Sequence, residues 1–289
     1  MEQRIGIVGL GLVGSALSGR LLEAGYRVTG FDIVVEQANR LAAAGGAACE
    51  SAAAVAAAED TVLLSLPTLA VSKTVIEEML PCLRPGMIVI DTTTGSPEES
   101  AALAETLDAR GVHYVEALIG GSSSQVRTGE AMLMGGGEAA AWRRCEGLFR
   151  ACFREVFYLG ACGTATRMKL VLNLVLGLNR AVLAEALAFA DACGLDPAGA
   201  LEILRSSPAY SRVMDTKGSR MVESRFEPEA RLTQHLKDVR VILDLGGRSG
   251  AKLPLSALHR ELLEEAERAG YGAYDNSAII CAFRNGSRP

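Results

Sequence analysis

Apolar residues follow two rhythms along this chain, and the change from one to the other divides it. Up to about residue 160, short β-branched runs alternate with alanine-rich stretches of helical length. The runs "IGIVG" (5–9), "YRVTGFD" (26–32), "TVLLSLP" (61–67), "MIVIDTT" (87–93), "VHYVEAL" (112–118) and "EVFYLG" (155–160) are predicted strands. Helices are predicted between them, over 12–25, 35–44, 69–79, 97–110 and 138–151. Strands that are apolar throughout and joined by helix-length connections predict a mostly parallel sheet covered on both faces. Pro67, Pro81 and Pro97 fall at element edges, where proline is tolerated.

From residue 163 the strand signals stop. A helical pattern runs from Thr164 to Cys193, a span of about 45 Å at the usual rise. Gly194 ends it, and Asp196 and Pro197 supply the cap and first turn of the next helix. Further helices are predicted over 197–205, 233–246, 254–269 and 276–284. The expected fold class is therefore α/β: a Rossmann-type, mostly parallel sheet over 1–162, then an all-α domain over 163–289, joined by a long helix. Ligands favour clefts between domains, and Lys169 and Asn173 lie at that junction.

Composition narrows the function. Hydrophobic residues make up 49% of the 289 positions and charged residues 22%, with a net charge of −5. No segment is dense in Lys and Arg, so neither nucleic acid nor an anionic membrane is an expected partner. The seven cysteines are scattered and form no CxxC pair, which reads as free thiols in a reducing cytoplasm; no metal site is expected. "MEQRIGIVG" enters a strand with no basic-then-apolar leader, which again predicts a cytoplasmic protein. Asn173, Asn179, Arg180 and Glu185 interrupt the long apolar helix and argue against a membrane span.

Two stretches carry chemistry. In "GIVGLGLVGSALSGRLLEAGYRVTGFD", Gly9, Gly11 and Gly14 have GxGxxG spacing between an apolar strand and an amphipathic helix, and Asp32 ends the next strand. That is the dinucleotide fingerprint in its required context. Gly9 permits the tight turn, Gly11 lets backbone approach a pyrophosphate, and Gly14 lets helix and strand pack closely. Leu12 and Val13 offer backbone N–H groups at the helix N-terminus. Asp32 is placed to accept from ribose hydroxyls, and the residues after it, "IVVEQ", include no arginine for a 2′-phosphate, so NAD is expected over NADP. In "GTATRMKLVLN", Lys169 and Asn173 are four apart and share one helical face. Hydride transfer at a carbinol carbon needs a partner for the hydroxyl proton. His113 and His259 read as structural, which leaves a lysine among Met168, Leu170 and Val171, whose pKa desolvation would pull down from about 10.4. Asn173 would orient the hydroxyl or the amine.

The set "GLGLVG", "DTTTGSP", "GTATRMKLVLN" and "LKDV", in this order, resembles the β-hydroxyacid dehydrogenase family over nearly the whole chain. That family includes 3-hydroxyisobutyrate dehydrogenase, tartronate semialdehyde reductase and succinic semialdehyde/glyoxylate reductases. The resemblance implies that Lys169 is the catalytic lysine, Asn173 its companion, and Lys237 a lysine that closes on cofactor and substrate. It implies that Thr93 and Thr94 lie near substrate and nicotinamide, and that Leu66 and Pro67 form the loop under the cofactor. Gly120, Gly121 and Ser122 align with the family's Ser-Gly-Gly turn for the substrate carboxylate, the serine having moved from first to third place. Glu116, Ala117, Leu118 and Ile119 replace its usual Asp-Ala-Pro-Val, and Ala165 replaces a glycine. Arg127 reads as a surface residue. The resemblance also implies a homodimer or homotetramer packed through the helical domain.

The expected function is thus an NAD(P)-dependent oxidoreductase interconverting a small 3-hydroxy acid and its semialdehyde. The alternatives are an imine reductase on the same architecture, against which Lys169 speaks, and a non-catalytic NAD-binding scaffold, which has no reason to keep both Lys169 and Asn173. A decarboxylating 6-phosphogluconate dehydrogenase is disfavoured by the short chain and the lack of a cationic cluster for a phosphate.

Overall fold

The computed structural model describes residues 3–284. These fall into two compact units that divide after Lys169. The first is built in the order β1 (Arg4–Val8), α1 (Leu12–Glu23), β2 (Arg27–Phe31), α2 (Val35–Ala43), β3 (Ala47–Ala48), α3 (Ala52–Ala58), β4 (Thr61–Leu64), α4 (Leu69–Met79), β5 (Ile88–Asp91), α5 (Pro97–Asp108), β6 (His113–Gly120), α6 (Ser123–Thr128), β7 (Met132–Gly137), α7 (Ala139–Cys152) and β8 (Glu155–Tyr158). One sheet has the order β3-β2-β1-β4-β5-β6-β7-β8. Every pair is parallel except β6–β7.

Period-two alternation explains the two apolar layers. Ile5, Ile7, Leu63, Ile88 and Ile90 turn to one face, where they join Leu17, Leu21, Trp142 and Phe149 of α1 and α7. Val8, Val62, Leu64 and Val89 turn to the other and join residues of α3, α4 and α5, among them Val55, Ile76 and Leu103. Both faces are covered, which is why these strands read as unbroken apolar runs.

Four elements of this unit escaped the apolar pattern, one of them the six-residue α6. β7 is "MLMGGG", which has no β-branched residue; α3 is "AAAVAAA", too uniform to show a period; β3 is only two residues long. The connection from β6 to β7 is too short for a crossover and contains only α6, so β7 returns antiparallel.

β1 and α1 meet through glycine. Gly9 has φ +92°, in the region that favours glycine. A Cβ on Gly14 would sit 1.9 Å from the Gly9 carbonyl oxygen, closer than any real contact, so the helix can lie this near the turn only without a side chain there.

The second unit is helical. α8 (Thr164–Ala192) begins in the first unit and continues into this one, followed by α9 (Pro197–Arg205), a π-helical turn at Met214–Gly218, α10 (Ser219–Val222), α11 (Leu232–Ser249), α12 (Pro254–Ala266), a second π-helical turn at Glu267–Tyr271 and a 3₁₀ helix at Asn276–Ala282. Its core includes Leu183, Leu187, Leu236, Val239, Leu263 and Ile279. Among the described residues α8 alone has the length and composition to cross a membrane, and 44% of its most apolar window is buried inside the protein. Buried charges punctuate this unit. Asp275 accepts from Lys217 Nζ through both oxygens at 2.9 Å and from Ser277. Burial pushes its pKa up, but Lys217 and Ser277 outweigh that and hold it down at about 2. The His259 ring packs 5.2 Å from that of His235. Burial, with the Arg180 charge adding to it, lowers the His259 pKa to about 4.

Gly14→Ala should force α1 and β1 apart and lower stability by about 1–3 kcal/mol, read as a drop in Tm; an unchanged Tm would contradict the packing. His259 is neutral in the folded chain below the pH at which an unfolded histidine charges. Stability should therefore fall as pH drops from about 6.5 towards 4, by at most about 3 kcal/mol. Urea unfolding of the protein and of His259→Gln across this range checks it, because the variant's curve should be flatter. Parallel curves would refute the assignment.

Candidate active site

In the first unit the registers bring the strand ends to one level: Val8 lies opposite both Phe31 and Leu64, Leu64 opposite Asp91, and Asp91 opposite Glu116. Connections from these ends therefore open on one edge of the sheet. The strand order reverses beside β1, which pairs with β2 on one side and β4 on the other. In open α/β sheets ligands bind at such a switch point, outside the carboxyl ends of the strands.

Gly11 caps α1 with no side-chain acceptor, and the first turn carries no acidic residue, so its leading N–H groups keep their positive field. A Cβ on Gly11 would meet nothing within 4 Å, leaving the approach to those groups open. Leu12 is exposed and Val13 half-buried. Asp32 is pinned behind this turn: Leu10 N–H donates to one carboxylate oxygen at 2.6 Å, and Val34 N–H to the other at 2.8 Å. Each oxygen keeps a lone pair for a further donor. Ile33, Val34 and Val35 follow it exposed, with no cation among them. Leu66 packs beside Gly9, and Pro67 is exposed on the same connection. These residues fit a dinucleotide: open backbone donors for a pyrophosphate, a fixed carboxylate for a ribose.

After β5, the three threonines have different surroundings. Thr92 Oγ1 donates to the Leu64 carbonyl at 2.9 Å. Thr93 is buried, accepts from Ser72 Oγ and donates its N–H to Asp91, which also accepts from the Tyr114 hydroxyl. Burial raises the Asp91 pKa against the pull of these hydrogen bonds, and burial and then Asp91 raise that of Tyr114 well above the usual value. The Thr93 hydroxyl is thus held within a buried network, whereas Thr94 is half-buried at the edge. After β6, Gly120 is half-buried and Gly121 exposed. Ser122 caps α6 in a reciprocal pair with Gln125: its N–H donates to Gln125 Oε1 at 2.9 Å and its hydroxyl accepts from Gln125 N–H at 3.3 Å. The cap engages its N–H and one lone pair of its hydroxyl and leaves the O–H as a donor beside Gly120 and Gly121. Arg127 is exposed.

Lys169, on α8, is half-buried, and its Nζ donates to the Ile119 carbonyl oxygen at 2.6 Å. The amine therefore stands at the carboxyl end of β6, on the edge that also carries Gly9, Asp32 and Thr94. In the helical unit Asn173 is buried and donates Nδ2 to Asp238 Oδ2 at 2.9 Å. Lys237, half-buried, precedes Asp238 on α11.

Two acids were missed by sequence reasoning. Asp238 lies on the face of α11 that also holds His235, Val239 and Ile242, so its helical spacing signalled burial. Glu116 was visible only as a substitution for aspartate, yet it is buried and accepts from Gly163 N–H at 2.7 Å and Thr166 Oγ1 at 2.6 Å.

Residues 4–160 match a family model described as the NAD binding domain of 6-phosphogluconate dehydrogenase. Residues 163–283 match one described as NAD-binding of NADP-dependent 3-hydroxyisobutyrate dehydrogenase. The chain is 28% identical over 286 residues to the cytokine-like nuclear factor N-PAC of Anopheles gambiae, covering 98% of this chain and 50% of that protein. It thus spans about half the length of that curated relative. It is 30% identical over 281 residues to the 2-(hydroxymethyl)glutarate dehydrogenase of Eubacterium barkeri, covering 96% of this chain and 93% of that one. The crystal structure of 3-hydroxyisobutyrate dehydrogenase from Salmonella typhimurium aligns with a TM-score of 0.91 at 25% identity, covering 97% of this chain and 99% of that one. A single family model spanning more than half of the residues, together with a relative matched along nearly all of both chains, shows that this chain belongs to the β-hydroxyacid dehydrogenase family.

Proposed function

We propose that this chain is an NAD-dependent oxidoreductase that interconverts a small 3-hydroxy acid and its semialdehyde, with Lys169 as the general acid and base. The observation that carries this reading is the Lys169 amine, 2.6 Å from the Ile119 carbonyl, on the same sheet edge as the glycine turn and Asp32. Gly11, the N–H groups of Leu12 and Val13, and Asp32 would hold the dinucleotide, with Leu66, Pro67 and Thr94 beside it. Bound NAD supplies the hydride acceptor for the alcohol and, when reduced, the donor for the aldehyde. The Lys169 amine takes the hydroxyl proton during oxidation and returns one to the forming alkoxide during reduction. The Ile119 carbonyl gives its ammonium form a resting acceptor. Gly120 and Gly121 would meet the substrate carboxylate with backbone N–H groups. Asn173, whose Nδ2 is engaged by Asp238, would orient the substrate hydroxyl through its amide oxygen. Lys237 would add a cation near the ligands.

We place the division between the dinucleotide-binding and helical domains at 162/163; the break between the two matched family models, after residue 160 and before 163, supports it. A homodimer or homotetramer belongs to the same reading, supported by the exposed apolar side chains Val171, Val175, Val182 and Phe189 along α8.

Lys169→Ala should lower kcat by about 10²–10⁴-fold with NAD affinity nearly intact. Steady-state kinetics on C2 to C5 hydroxy acids and semialdehydes, with calorimetry for NAD, measure this; a variant keeping most of its turnover contradicts the mechanism. A cyclic imine in the same screen separates the alternative chemistry. With Asp32 carrying a negative charge and no cation in the three residues after it, NAD should bind more tightly than NADP by about 1–3 kcal/mol. Asp32→Ala should narrow that gap, and a preference for NADP in the unaltered protein would refute the assignment.

A further inference from the structure

Glu116 is the one buried carboxylate on β6, and no reading of the reaction so far uses it. Its two oxygens accept from Gly163 N–H, at the entrance to α8, and from Thr166 Oγ1 in the first turn of that helix. α8 has no acidic residue of its own in that turn, so the strand supplies the negative charge that a helix N-terminus favours. Space for it is cleared from the far side. Gly136 faces Glu116 across the β6–β7 pairing, and a Cβ there would come within 2.9 Å of Glu116 Oε2.

We propose that Glu116 is a positioning residue that fixes the first turns of α8 against β6 and thereby holds the Lys169 ammonium at the carboxyl end of that strand. The geometry is a matter of register. Glu116 binds Thr166 and Ile119 binds Lys169, each pair separated by 50 residues in sequence, so three steps along the strand match three along the helix. Three residues advance a strand by about 10 Å and a helix by about 4.5 Å, so whatever their angle the offset between the two changes by at least about 5 Å from the first contact to the second. The long lysine stem bridges it, and the Nζ–carbonyl contact survives only while the first contact is held. Without the carboxylate, Gly163 N–H and the Thr166 hydroxyl lose their acceptor, and the helix is free to slide by fractions of a turn. Glutamate has the reach for both donors while Gly136 leaves room for its longer side chain, which accounts for both residues together.

This inference rests on the reading of Lys169 as the proton carrier for its catalytic meaning, but not for its test. Acetic anhydride acylates only neutral, accessible amines, and peptide mass spectrometry reports the rate at each lysine. In Glu116→Gln the rate at Lys169 should rise about tenfold over the unaltered protein, the value of one lost hydrogen bond to a charged group, while exposed Lys73 and Lys252 are unchanged. Thr166→Val, which removes one donor and keeps the volume, should move Lys169 in the same direction by about threefold, and it carries the test if Glu116→Gln does not fold. Once a substrate is in hand, kcat should fall about tenfold in Glu116→Gln and its pH profile should shift, with KM for NAD unchanged. Unaltered acylation of Lys169 in both variants, whatever happens to Tm, would overturn the proposal and leave Glu116 a purely structural acid. Altered acylation in a protein that turns over no hydroxy acid would uphold the positioning role and sink the oxidoreductase reading instead.

Discussion

One ammonium held against one strand-end carbonyl, Lys169 Nζ on Ile119 O, is the contact from which the rest of the account is built. It exists because a helix that begins in a sheet domain is tied to a strand of that domain before it leaves it. The sheet then does the remainder by geometry. Parallel strands in matched register present all their carboxyl ends on one edge, so a glycine turn after β1, an aspartate after β2, threonines after β5 and a lysine anchored at β6 share a neighbourhood although they span most of the first unit's sequence. No single pair of these residues is unusual. Their common edge is what makes a site.

Several buried carboxylates in both units are answered by specific partners. In the first unit Asp91 gathers Thr93 and Tyr114, and Glu116 gathers Gly163 and Thr166. In the second, Asp238 answers Asn173 and Asp275 answers Lys217. Buried carboxylates of this kind are weak sources of stability, but leaving any partner behind is expensive, so they fix geometry. Arg180 shows the limit: it is buried, its pKa falls to about 10 by desolvation against the attraction of Asp275, and it remains charged at neutral pH.

Much of this was legible in the residues. The GxGxxG turn, Asp32 and the long helix were readable because each is a local pattern whose physical requirement is also local. The Asp196 cap with Pro197 gave α9 its start, and Pro97 marked the start of α5. What stayed hidden depends on distant partners. β7 lacks every strand preference because its glycines accommodate other groups: Gly135 lies under the Trp142 ring and Gly136 opposite the Glu116 carboxylate. That Ser122 also caps a helix was signalled by Gln125 three residues on. Glu116 and Asp238 were unreadable as partners, since each answers a residue at least 47 positions away in sequence.

The most direct test of the central claim is a crystal structure of the protein with NAD and a hydroxy acid it oxidises. The account predicts the Lys169 amine within hydrogen-bonding distance, about 3 Å, of the carbinol oxygen, with Asp32 on the adenosine ribose. An amine directed away from that oxygen, with another side chain in its place, would contradict it.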